Sequence, residues 1–227
     1  MAKIIRVDIQ HQEQEALETI KGVLCDGGVI AFPTDTFYGL GANPFNERAV
    51  ANIFKSKNRS PHNPILVLIG SLKQLDQLAC DISPDAKKLI QHLWPVQRDA
   101  KPRLEGSGPL TLLFKALPHL PRNLTAGTGK IGVRLPDHDF SRRLIAYIDH
   151  PLTASSANLS NHPNARTAEE VNASLGTSID LIINGGQTAG GKESTVLDTT
   201  VSPPKLIREG AISKEQIEDI LALSIAS

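Results

Sequence analysis

In FKSKNR, Lys57 and Arg59 stand two residues apart with Lys55 two earlier, a spacing that could gather positive charge around a polyphosphate. Read as an extended segment after a helix, such alternation puts all three cations on one side. Pro61 and Pro64 stiffen the next few residues, and ILVLI at 65–69 reads as a buried strand, so the cations are anchored rather than spread over a solvated face. Upstream, AFPTDTFYGLGA at 31–42 is expected to end a strand in a small polar turn rather than a hairpin. Pro33 cannot donate to a ladder, while Thr34, Asp35 and Thr36 offer short oxygens. Gly39 and Gly41, beside Tyr38, would let backbone approach a ligand, although a β-turn capping a helix accounts for PTDT equally well. Downstream, TASSANLS at 153–160 ends a strand in hydroxyls and an amide, which reads either as a ligand-facing turn or as a plain Asx or Ser/Thr turn.

Two arginines raise one question. Arg134 lies among Ile131, Val133 and Leu135, where an unpaired guanidinium is costly, so either a protein carboxylate or a substrate carboxylate must face it. Arg208 in KLIREG poses the same choice. A third motif is deceptive: GQTAGGK at 186–192 has P-loop spacing, but Glu193 occupies the place of the magnesium-binding Ser or Thr, and STVLD then reads as strand. Without the helix whose N-terminus would hold phosphate, a flexible glycine-rich loop is the better reading, with Ser194 and Thr195 as its functional part.

These residues need a scaffold of alternating elements. Strands are expected at 4–7, 29–32, 110–114, 131–135, 152–155, 181–183, 195–197 and 205–207. Helices are expected at 16–24, after Asn46 to about 54, after Ser71, after Ser83 to about 93, at 140–148, at 168–175 behind a Thr167/Glu170 capping box, and at 214–223 behind Ser213/Gln216. The order implies an α/β sandwich with a sheet that is not purely parallel. At 227 residues and 40% hydrophobic, the chain is expected to form one domain, 1–227. Its 24 basic residues balance 24 acidic ones, which excludes a global field for nucleic acid or membrane. Cys25 and Cys80 fall in helical patterns without metal spacing and read as reduced core thiols, and with no membrane-length apolar run or signal pattern the expected location is cytoplasmic.

Taken in order, AFPTDTFYGLGA, KNR with NPI, GPLTLLF, IGVRLPDH, SSAN, ESTVLD and IREG resemble the YrdC family of threonylcarbamoyl-AMP synthases over nearly the whole chain. The resemblance implies an open twisted mixed sheet flanked by helices, with a large concave cleft. It implies a nucleotidyltransferase that forms threonylcarbamoyl-AMP and pyrophosphate from L-threonine, bicarbonate and ATP, with Mg2+ bridging phosphates and no protein metal ligand assigned. The product would pass to a transferase complex acting on tRNA. By resemblance, Lys57 and Arg59 hold the triphosphate; Thr34, Arg134 and Ser194 orient threonine; Thr125, Ser156, Asn158 and Arg208 hold nucleotide. The chain departs from the family where residues 96–107 split WPGPLT and where Glu209 replaces a proline beside Arg208 and puts that arginine's role in doubt, and it is expected to be the form without the extra C-terminal domain. A related adenylate-forming enzyme with another amine would keep Lys57, Arg59 and Ser156. A non-catalytic RNA-binding module is disfavoured by balanced charge and 4% aromatics, since stacking platforms need rings.

Overall fold

The computed structural model describes residues 1–7, 14–60, 62–95 and 109–226. The elements run, in chain order, β1 (Lys3–Arg6), α1 (Gln14–Cys25), β2 (Ile30–Phe32), β3 (Gly39–Gly41), α2 (Glu47–Lys57), β4 (Val67–Leu68), a 3-10 helix (Leu72–Gln77), β5 (Ala79–Cys80), α3 (Pro84–Leu93) and β6 (Leu110–Ala116). They continue with β7 (Lys130–Arg134), α4 (Asp139–Ile148), β8 (Leu152–Thr153), β9 (Ser155–Ser156), α5 (Ala168–Leu175), β10 (Leu181–Asn184), β11 (Thr195–Asp198), β12 (Lys205–Arg208) and α6 (Lys214–Leu221).

The mixed α/β class is as expected, but the strands form two sheets rather than one. Five strands run in the order β1-β10-β2-β3-β9, and seven belong to the second sheet, in the order β12-β11-β6-β7-β4-β8 with β5 on β6. Both mix parallel and antiparallel pairs, such as β1 with β10 and β2 with β3. Pleating serves two cores at once. In β2, Ile30 and Phe32 join the core formed with α1 and α4, whereas Ala31 between them joins the larger core containing α2, α3, α5 and α6.

Local chemistry sets several ends. Asn46 accepts from the Ala49 amide at 3.1 Å to start α2, and Ser83 does the same for α3 from Ala86 at 3.2 Å. The Ser213/Gln216 capping box before α6 is complete in both directions. At α5, Thr167 caps the Glu170 amide, but the Glu170 carboxylate takes the Arg166 amide instead, so only half of that box forms. Ser71 caps no α-helix: it precedes a 3-10 helix, and Gln74 rather than Ser71 bonds the local backbone, at Gly70.

Four differences from the expectations bear on the site. The expected strand at 152–155 divides at Ala154 into β8, paired with β4 in one sheet, and β9, paired with β3 in the other, so Ser156 lies where the chain passes between sheets. The polar turn at 33–38 does close a hairpin, because GLG forms β3 against β2. Gly41 serves packing rather than ligand approach: a Cβ there would sit 2.9 Å from both Leu152 and Phe32 side-chain atoms. Lys55 and Lys57 belong to the last turn of α2, so they do not share a side; Lys55 is exposed and Lys57 buried. Cys25 is exposed and Cys80 half-buried, so neither is a core thiol. The insertion 96–107 lies outside the described residues.

Candidate active site

The hairpin loop 33–38, the end of α2, β6, β7, β9, the 185–194 loop and β12 surround one cleft. It encloses about 770 Å3 of space including the open solvent at its mouth. Thr34, Arg59, Arg134, Ser156, Ser194 and Arg208, six of the residues expected in a site, line it, while Lys57, Thr125 and Asn158 are not among its lining residues.

At one wall, Lys57 is buried beneath β9 and reaches the turn after that strand. Its Nζ donates to the Ser156 and Asn158 carbonyls, the latter at 2.6 Å, and lies 3.3 Å from Ser156 Oγ and Asn158 Oδ1. An ammonium has three donors, so these oxygens absorb all of them. Burial, helped by the nearby Arg59 charge, pulls the Lys57 pKa down to about 7, against the pull of those oxygens toward the charged form. Lys57 therefore acts on the cleft through the 156–158 turn. Arg59 comes after Asn58, which ends α2 in a left-handed conformation at φ 49°, and donates to the Asn63 and Pro64 carbonyls at 3.4 and 3.2 Å. Among the described residues it has no carboxylate partner. Thr125 is buried in a turn, donating to Arg122 O at 3.3 Å.

At the opposite end, Thr34 Oγ1 donates to Phe37 O at 2.8 Å and lies 3.2 Å from Thr36 Oγ1, tying the hairpin loop to itself. Arg134 Nη2 meets Asp35 Oδ1 at 2.9 Å, and both side chains are almost buried. The choice left open by the sequence thus has a protein carboxylate on one side of it, from the polar turn itself. Arg208 forks around Ser194: Nε and Nη2 donate to its carbonyl at 3.1 and 2.8 Å, and Nη2 to its Oγ at 3.1 Å. Its carboxylate partner is Glu193 rather than the exposed Glu209.

Two further cleft residues receive no role from the sequence alone. Asn164 donates from Nδ2 to Glu193 Oε1 at 2.8 Å, so Glu193 is held between Asn164 and Arg208. Tyr38 is buried and bonds both Gly186 O at 2.8 Å and the Gly185 amide at 3.3 Å; burial raises its pKa to about 12, keeping the phenol neutral. Neither carries a local pattern beyond its residue type. The false P-loop ends at β11 without a helix, and it is fastened: Gly190, at φ 71°, donates to Thr36 O at 2.8 Å over Arg166, which holds the Thr188 and Ala189 carbonyls.

The Sua5/YciO/YrdC family model, described as telomere recombination, matches residues 22–210. The chain belongs to this family. A Pyrococcus abyssi protein named threonylcarbamoyl-AMP synthase is 38% identical over 92% of the chain, which spans 58% of that relative. A Mycobacterium tuberculosis protein named putative threonylcarbamoyl-AMP synthase is 30% identical over 96% of the chain and 94% of its own length. The structure of P. abyssi Sua5 complexed with L-threonine superposes with a TM-score of 0.89 at 36% identity, covering all of this chain and 63% of that one. The chain thus spans little more than half the length of the first of these relatives. Among the described residues no helix is long and apolar enough to cross a membrane, and no cluster of three or more His, Cys, Asp or Glu could hold a metal.

Proposed function

We propose that this chain forms threonylcarbamoyl-AMP and pyrophosphate from L-threonine, bicarbonate and ATP. The observation that carries the reading is the convergence of three guanidinium groups, Arg59, Arg134 and Arg208, on one cleft with hydroxyls from Thr34, Ser156 and Ser194. The substrates bring three anionic groups: a carboxylate, a carbamate and a triphosphate. The family membership, and a relative's complex with L-threonine, support matching the two sets.

Capture of carbon dioxide by threonine's amine gives a carbamate that is already an anion, so its attack on the α-phosphorus of ATP needs no general base. The demand is for charge stabilisation as pyrophosphate leaves. Arg59, without a carboxylate partner among the described residues, meets the triphosphate, and Lys57 adds charge behind Ser156 and Asn158. Thr34, Arg134 and Ser194 orient threonine, with Arg134 sharing its guanidinium between Asp35 and the substrate carboxylate. Arg208 completes the nucleotide contacts from the cleft wall, whereas Thr125 does not line the cleft and is given no direct contact. Mg2+ would enter with ATP, taking phosphate oxygens and water as ligands, as this ion commonly does. When bound with ATP it would offset phosphate charge. The product would serve a transferase complex acting on tRNA in the cytoplasm.

The test is to incubate the protein with ATP, bicarbonate, Mg2+ and each amino acid in turn while following pyrophosphate. Release that depends on threonine and bicarbonate is expected; equal release with every amino acid, or none, rejects the assignment. Within it, Arg134→Lys keeps charge but loses the planar fork, and should raise the KM for threonine more than that for ATP.

A further inference from the structure

Ser194 precedes β11 and Thr111 lies on β6, its parallel neighbour, in the register Thr195↔Leu110 and Val196↔Thr111. This brings their hydroxyls together although 83 residues separate them: Thr111 Oγ1 donates to Ser194 Oγ at 3.0 Å. Thr111 is fully buried, and both residues border the cleft. Ser194 Oγ also accepts from Arg208 Nη2 at 3.1 Å. A serine hydroxyl has two acceptor lone pairs and one proton. With both lone pairs engaged by Thr111 and Arg208, the capacity left at Ser194 is donation. The Arg208 charge polarises the oxygen and strengthens that donor.

We infer that Thr111 is a positioning residue which, together with Arg208, sets the Ser194 hydroxyl as a donor into the cleft, selective for an oxygen acceptor on the bound amino acid. The inference rests on the proposed reading in which Ser194 orients threonine. A carboxylate or carbamate oxygen satisfies the Ser194 proton, whereas an ammonium meets a hydroxyl whose lone pairs are already used. The same amine before and after carbon dioxide capture therefore presents opposite chemistry to this group, and Ser194 favours the carbamate or carboxylate end.

Thr111→Val removes the donor while keeping the branched shape; Thr111→Ser keeps the donor. Steady-state pyrophosphate release is measured for the wild type, both variants, Ser194→Ala and the Thr111→Val/Ser194→Ala double variant, with melting temperatures alongside. Thr111→Val should raise the threonine KM roughly 3- to 10-fold, the range a single neutral hydrogen bond supplies. The ATP KM should stay within about twofold, with Thr111→Ser restoring the wild-type value, because the effect is confined to one hydroxyl. In the Ser194→Ala background Thr111→Val should add little, because both changes act through one hydroxyl. An unchanged threonine KM in Thr111→Val, a full additional effect in the double variant, or equal loss for both substrates with a lowered melting temperature overturns the inference alone. A wild type that shows no threonine-dependent release overturns the synthase reading, and the inference falls with it.

Discussion

Two arginine–carboxylate pairs border the same cleft and differ in almost every physical respect. Arg134 and Asp35 are 8% and 12% exposed, and each would be a stranded buried charge without the other. Arg208 and Glu193 are both 42% exposed, so water screens the pair and can replace either partner. The contrast separates two ways of presenting a guanidinium. A buried pair is costly to break, whereas an exposed pair can exchange its carboxylate for another anion at small cost. Lys57 is a third arrangement, a buried cation answered among the described residues by hydroxyl and amide oxygens and carbonyls.

The largest effect should come from breaking the buried pair. Asp35→Ala leaves Arg134 uncompensated beside Leu68 and Ile65 in the cleft wall and should cost about 3 kcal/mol or more of unfolding free energy in urea titrations. A loss under about 1 kcal/mol would place Arg134 with the exchangeable class instead.

Lys57 sharpens the comparison through pH. Its folded pKa lies near 7 and its unfolded value near 10.5, so between those limits the unfolded chain binds more protons. Stability should therefore rise with pH across that window, and the contribution should be lost as pH falls through 7. Lys57→Met should flatten this slope relative to the wild type when both are unfolded by urea between pH 7 and 10. It should also slow threonine-dependent pyrophosphate release by roughly 10²-fold, the scale of a main electrostatic group. Parallel stability curves for the two proteins would mean that Lys57 stays charged in the fold.

The smallest stability change belongs to the exposed pair. Glu193→Gln keeps the Asn164 contact and should alter unfolding free energy by less than about 1 kcal/mol. Freed from its carboxylate, Arg208 should bind ATP at least as tightly as before. A several-fold weaker ATP KM in this variant would show that Glu193 holds Arg208 in place rather than competing for it.

Much of this was legible without the fold. The caps of α2, α3 and α6 come from residue types within one helical turn. Arg134's need for an anion comes from its apolar neighbours, and the failure of the P-loop from the strand after Glu193. What misled the reading was geometry carried by partners: three cations at alternate positions share a side only if the backbone is extended, and there it is the last turn of α2. The strand at 152–155 looked continuous because nothing local marks Ala154 as the passage between two sheets.

Residue types and their near neighbours were enough to dictate the kinds of group the cleft would need, because burial cost and capping are local properties. Which groups meet was left to the folded arrangement. Arg134 and Asp35 are 99 residues apart, Thr111 and Ser194 are 83, and Lys57 finds Asn158 at 101. Such pairs form only when strand register and helix docking bring distant segments together, and no local propensity encodes that register. Hence the demand for an anion at Arg134 was written in its own strand, while the answer, Asp35, lay in a turn on the other sheet.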